Sequence, residues 1–195
     1  MKKAFGNAPK AFLFKNAELN DTIHFAHIID NFAFENYLKM NKTNAVRLLD
    51  KAGIKYSLTE YEVDESDLSA THVAEQMGQD IGQVFKTLVL RGDKNGLFVC
   101  VIPGAEEVDL KKAAKASGNK SAEMIHVKEL LPLTGYIRGG CSPIGMKKSY
   151  PTYLDEQCIL YDEIYISAGI RGMQIKLAPN DLVKMTNCEI CELTV

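Results

Sequence analysis

The chain has 195 residues and a mass of 21.6 kDa, with 46% hydrophobic and 25% charged residues. The length suits one domain, with or without an appendage, or two small ones; the proportions are those of a globular protein and exclude a disordered chain, a collagen-like chain and a coiled-coil rod. Twenty-three basic and 25 acidic residues give a net charge of −2, which is not the bulk signature of a nucleic-acid binder, and no run approaches the roughly 18 apolar residues needed to cross a bilayer.

Residues 1–40 differ from the rest. They hold six of the eight phenylalanines without a clean period. A helix from about Asp21 to Leu38 fits the capping signal at Asp21 or Thr22. The segment is either an arm that packs on the following domain or upstream readthrough before a start at Met40. Lys2 and Lys3 are followed by Pro9, Lys10 and Lys15, which break up any signal-peptide core.

From residue 41 to 195 the pattern is orderly. Thr43 caps a helix running to Ala52, with Gly53 as its stop. Tyr56 to Val63 alternates as a strand. Ser69 opens a helix that ends at Gly78. Phe85–Arg91 and Leu97–Ile102 are apolar β runs, joined by the hairpin chemistry of Gly92-Asp93-Lys94-Asn95-Gly96. Asp109 starts a helix from Leu110 to Ser117, and a short helix near Val127–Leu131 follows. A glycine-rich stretch spans Gly135 to Gly145. Cys158–Tyr161, Ile164–Ser167 and Met173–Leu177 read as strands, Pro179 opens a last helix, and Cys188–Val195 reads as a closing strand. Short turns between strands predict an α+β fold: a mixed, largely antiparallel sheet flanked by helices.

The five cysteines are Cys100, Cys141, Cys158, Cys188 and Cys191. An odd count without a leader suits free thiols in a reducing cytoplasm. Cys188 and Cys191 form C-x-x-C, but no second pair completes a zinc site, and the surrounding alternation is that of a strand, whereas a redox motif opens a helix. The four histidines, His24, His27, His72 and His126, make no ligand or nucleophile pattern. No metal and no cofactor is expected.

Three constellations can carry chemistry. In Phe85-Lys86-Thr87-Leu88-Val89-Leu90 both strand faces are apolar, so the Lys86 ammonium must reach an anion, snorkel to an edge or line a cavity. Arg138-Gly139-Gly140-Cys141-Ser142-Pro143-Ile144-Gly145 is a tight turn whose bare amides suit an oxyanion or phosphate, although it is neither a P-loop nor G-x-S-x-G. Ser167-Ala168-Gly169-Ile170-Arg171-Gly172 again offers close backbone approach after a strand. Read without context, each is equally an ordinary strand or turn. Lys111, Lys112, Lys115 and Lys120, with Lys147 and Lys148, form a local basic set that is either a solvated face or a footprint for a phosphodiester backbone.

Taken in order, these motifs resemble the YbaK/EbsC family, together with Thr43-Asn44-Ala45, Asp109-Leu110-Lys111-Lys112-Ala113-Ala114 and Leu177-Ala178-Pro179-Asn180-Asp181-Leu182. Its members are bacterial Cys-tRNA(Pro) deacylases related to the editing domain of prolyl-tRNA synthetase. The resemblance covers residues 41–195. It implies a mixed β-barrel-like sheet flanked by helices, a pocket for the acylated 3′ end of tRNA, a trans-acting cytoplasmic deacylase of mischarged Cys-tRNA(Pro), with Cys-tRNA(Cys) as a second substrate, and a transient complex with prolyl-tRNA synthetase. It implies catalytic roles for Lys86 and Gly139. Tyr61, Thr87, Gly140, Ser142, Pro143, Ser167 and Gly169 are implied to contact substrate. The family's reaction is described as attack by the substrate's own thiol, which makes hydrolase and lyase descriptions both applicable. Ala168 stands where glycine is common, and Cys141 where an aliphatic residue is usual, which bears on fine substrate preference. Deacylation of another ester such as Ala-tRNA(Pro), and a non-catalytic module that binds tRNA or a synthetase, are the two other readings.

Overall fold

A computed structural model describes residues 42–195. The helix expected over Asp21–Leu38, His24, His27 and the status of residues 1–40 lie outside the described residues.

Helix α1 is Asn44–Ala52. The Thr43 hydroxyl accepts from the Val46 amide, and Gly53, left-handed at φ 66°, closes the far end. Strand β1 is Ser57–Glu60. Helix α2, Ala70–Met77, is capped by the Ser69 hydroxyl and closed by Gly78. A 3-10 turn, Ile81–Gln83, leads into β2, Phe85–Gly92, and its hairpin partner β3, Gly96–Pro103. Helix α3 is Leu110–Ala116, and the Lys111 and Lys112 amides in its first turn donate to the Asp109 carboxylate. There follow β4 (Ala122–Met124), α4 (Val127–Thr134), β5 (Thr152–Asp155), β6 (Ile164–Ser167), β7 (Met173–Leu177), α5 (Pro179–Thr186) and β8 (Glu189–Cys191).

The strands form two sheets, β1-β7-β6 and β4-β2-β3-β5-β8. Four of the pairings are antiparallel, whereas β3–β5 and β5–β8 are parallel. The fold is therefore α+β and largely antiparallel, but the sheet does not close into a barrel. The edges of the two sheets meet at an isolated parallel bridge, Val84 with Tyr165.

Three local expectations change. Cys158–Tyr161 is not a strand, because Glu156–Leu160 is a 3-10 turn capped by the Asp155 carboxylate, which accepts from the Gln157 amide. Its Ile159 and Leu160 are 71% and 70% exposed, so the apolar run that imitates a strand is not buried. Helix α4 passes through Pro132 to Thr134, where a proline suggests an end at Leu131. The closing strand shortens to β8 plus a bridge from Thr194 to Val108, and β4 and β5 were not anticipated.

Leu90, Phe98, Cys100 and Ile102 of the β2–β3 hairpin pack with Ala113 of α3 and Leu193 in one buried cluster. A second cluster, Ala74, Val84 and Tyr165, ties α2 to the point where the sheets meet. Burial of this apolar surface is the main source of stability, and it holds the start of β2 rigidly between the sheets. No helix among the described residues is long and apolar enough to cross a membrane.

Candidate active site

A cleft of about 700 Å³ opens where the two sheets meet. Its walls come from the start of α2, the whole first half of β2, the Gly104–Leu110 connection, β4–α4, the glycine loop and the ends of β6 and β7.

Lys86 lines this cleft. Its Nζ donates to the carbonyl of Gly104 at 3.0 Å, and no carboxylate pairs with it among the described ion pairs. Burial pushes its pKa below the ordinary lysine value, opposed by the Glu107 and Glu106 carboxylates. Of the three fates open to an ammonium on a two-faced apolar strand, the structure combines cavity lining with one backbone acceptor. Two of its three N–H donors remain for a ligand.

The glycine loop divides. Gly139, at φ 82°, lines the cleft. A Cβ there would sit 3.3 Å from Leu68 and 3.4 Å from Arg171 Nε, so side-chain-free backbone is what the position requires. The Gly140 amide is already used, donating to Ile137 O at 3.0 Å, and a Cβ on Gly140 would press on the backbone of Ile170 and Arg171 at 3.1 Å. Only Gly139 of the pair therefore offers the amide that an oxyanion would need. Ser142 is fully buried and accepts from the Ile144 amide, and Pro143 is buried beside it; neither lines the cleft.

Thr87 and Ser167 line the cleft. Gly169 does not. At φ 94° it carries the chain past Tyr136, whose Cε1 would lie 2.8 Å from an added Cβ. Tyr61 also stands away from the cleft walls, with its backbone amide donating to Gly172 O at 3.0 Å. The structure thus brings Lys86, Thr87, Gly139 and Ser167 onto one cleft. It places Gly140, Ser142, Pro143 and Gly169 as packing that shapes the two loops.

Sequence reasoning missed Glu107, Leu68 and Gln174 and gave Arg138 no role of its own within its motif, although all four line the cleft. Gln174 had a usable signal, since in Met173-Gln174-Ile175-Lys176-Leu177 it falls on the polar side of an alternating strand. Cys141 also lines the cleft, but burial pushes its thiol up to about 12, and it is no nucleophile at neutral pH. No group of three or more His, Cys, Asp or Glu side chains arranged to hold a metal occurs among the described residues.

The cleft can therefore hold a ligand with anionic and carbonyl groups: a cation and a bare amide at one wall, an apolar lining, and neutral polar side chains from β2, β6 and β7. A model of the aminoacyl-tRNA editing domain matches residues 65–185. The chain is 54% identical over 153 residues to EbsC of Enterococcus faecalis, a proposed Cys-tRNA(Pro)/Cys-tRNA(Cys) deacylase; the match covers 78% of this chain and 93% of that protein. A solved structure described as a proposed trans-editing enzyme for prolyl-tRNA synthetase superposes with a TM-score of 0.69 at 27% identity, covering 78% of this chain and 95% of the other. The hypothetical protein APE2540 shares the fold, with a TM-score of 0.72 at 19% identity over 78% of this chain and all of that one.

Proposed function

We propose that this chain, which belongs to the aminoacyl-tRNA editing domain family, is a trans-acting deacylase that removes cysteine from Cys-tRNA(Pro) and from Cys-tRNA(Cys). The observation that carries the reading is the pairing of an ion-pair-free, half-buried Lys86 with the Gly139 backbone on one cleft, in a chain 54% identical to a relative named for that activity.

The chemistry suits the residues. An aminoacyl ester is already activated, so positioning and charge stabilisation accomplish more than a strong base would. Lys86, a compact cation with two free donors, holds the phosphate or ribose of the acylated 3′ end. The Gly139 amide faces the oxygen that gains charge as the ester carbonyl becomes tetrahedral. The substrate's thiol is the nucleophile: its sulfur–carbon bond forms as the ester carbon–oxygen bond breaks, and the ribose oxygen leaves with the thiol's proton. Water then opens the acyl product. A protein nucleophile is unnecessary, which accords with the inert thiol of Cys141. Thr87 and Ser167 contact the ligand directly. Tyr61, Gly140, Ser142, Pro143 and Gly169 serve substrate binding through the loops they shape.

Residues 41–195 constitute the deacylase domain and residues 1–40 an extension. The reaction belongs in the cytoplasm, where five free thiols persist. Selection of tRNA(Pro) comes from a transient complex with prolyl-tRNA synthetase, whose proline pocket discriminates poorly against cysteine. The chain's own basic surface is local: Lys111, Lys115 and Lys120 are exposed, whereas Lys112 is engaged by Glu192 and the Thr194 carbonyl.

A panel of aminoacyl-tRNAs incubated with purified protein tests the reading. Release of cysteine from Cys-tRNA(Pro) and Cys-tRNA(Cys) is expected. Release of alanine alone from Ala-tRNA(Pro) moves the activity to another ester, and release from none leaves a binding module.

A further inference from the structure

Gln174 is the second residue of β7, the central strand of its sheet, opposite Ser167 on β6 and Thr59 on β1. The strand alternates there. Met173, Ile175 and Leu177 share a buried face with Ile164 and Ile166, so Gln174 falls with Ser167, Tyr165 and Lys176 on the other side of the sheet. Gln174 is only 6% exposed, yet its side-chain carbonyl oxygen is buried without a hydrogen-bond partner. The hydroxyl oxygen of Thr87 is in the same state, and both residues line the cleft that holds Lys86.

Buried acceptors are nearly always paired, and an orphan is costly, so two on one cleft point to donors supplied by a ligand. The cleft's own cation does not satisfy them, since the Lys86 contact runs to Gly104. An aminoacyl ester brings a donor group that is independent of its side chain: the α-ammonium, with three N–H bonds and no acceptor. The carboxylate of Glu107 on the same cleft offsets the charge of a second cation near Lys86.

We infer that Gln174 is a specificity-determining residue whose side-chain carbonyl accepts a hydrogen bond from the α-ammonium of the bound aminoacyl group, with Thr87 providing a second acceptor for the same ligand. This rests on the deacylase reading. It assigns the cleft a requirement for a free amino group, and so a means of rejecting acyl esters whose nitrogen is blocked or missing.

The test crosses an enzyme change with a substrate change. Gln174→Leu keeps the volume and removes the orphan oxygen. The substrate 3-mercaptopropionyl-tRNA(Pro) keeps the ester and the thiol and lacks the amine. With Cys-tRNA(Pro), Gln174→Leu is expected to raise KM roughly ten- to a hundredfold, the range for a hydrogen bond to a charged group. The wild type should show a similar rise on the amine-free ester, and the variant no further rise on it. Melting at or above the wild-type temperature shows that the fold is intact. Equal penalties for Gln174→Leu on both esters, or an unchanged KM for Cys-tRNA(Pro), overturn the inference while leaving deacylation standing. Should the variant fail to fold, equal wild-type KM values for the two esters overturn it alone. A wild type that releases nothing from either ester removes the deacylase reading, and the inference with it.

Discussion

Arg171 donates through Nε to the backbone carbonyl of Arg138 at 3.0 Å, and through Nη1 to the Glu65 carboxylate, also at 3.0 Å. One guanidinium thus ties together the loop before α2, the glycine loop and the loop after β6. The carbonyl it holds belongs to the residue immediately before Gly139, so Arg171 fixes where the Gly139 amide points.

Arg171→Ala is expected to lower kcat for Cys-tRNA(Pro) by roughly tenfold or more, because a catalytic amide must be held closely to its productive geometry. Lysine offers no planar fork and should not restore the rate. Glu65 is a largely exposed partner, with 82% of its side chain accessible, and exposed ion pairs contribute little. Glu65→Ala should therefore stay near wild type. Steady-state kinetics of the three variants checks this, and a Glu65→Ala defect equal to that of Arg171→Ala would assign the effect to the ion pair.

Lys86→Ala should abolish deacylation and leave the circular dichroism spectrum unchanged, because the side chain has a single hydrogen bond and no ion pair to lose. Wild-type turnover by that variant would remove Lys86 from the mechanism.

Burial depresses the Lys86 pKa, while Glu107 and Glu106 oppose the shift. The sign follows directly. A lysine whose folded pKa lies below its unfolded value binds fewer protons when folded, so its burial costs stability while it is charged. That cost falls away as pH rises from the folded toward the unfolded value. In an NMR titration of the lysine Cε carbons, Lys86 should titrate below the ordinary lysine value. Glu107→Gln should lower its midpoint further. A midpoint at or above the ordinary lysine value contradicts the burial argument.

Tyr136 donates its hydroxyl to Ile144 O at 2.6 Å and packs against Gly169. Gly169→Ala forces a Cβ into the Tyr136 ring at positive φ, and a loss on the order of 1–3 kcal/mol is expected. Tyr136→Phe removes the donor and strands a buried carbonyl, costing about 1–3 kcal/mol. Chemical denaturation measures both.

The thiols of Cys100 and Cys141 are pushed up to about 12, and those of Cys158 and Cys191 to about 11, all by burial. Native protein at pH 8 should react with thiol reagents slowly, at Cys191 first because the other four are buried, and unfolded protein should expose five equivalents. Cys141→Ser should remain active, and rapid native labelling with loss of activity would refute the inert-thiol assignment.

How far each feature could be read depended on how local its cause is. Thr43, Ser69 and Asp109 cap helices through contacts two or three residues away, and the Gly92–Gly96 turn closes β2 on β3. Such signals survive in the bare order of residues, as does the odd lysine of an otherwise apolar β2. Cys158–Tyr161 misled because an apolar run has the same composition whether it is covered or exposed, and β5 went unseen because its pairing with β3 and β8 is parallel and distant in sequence. The cleft is the extreme case. Lys86, Gly139, Ser167 and Gln174 meet only because the two sheets touch at Val84 and Tyr165, 81 positions apart. The same packing sends Ser142 and Pro143 inward and uses up the Gly140 amide. Most of the elements, their caps and the motif residues that mark the family are legible in the order of residues, because short-range hydrogen bonds and side-chain periodicity set them. Which motif residues face the cleft is set by the packing of the fold alone, because burial and hydrogen-bond partnership belong to contacts between distant segments.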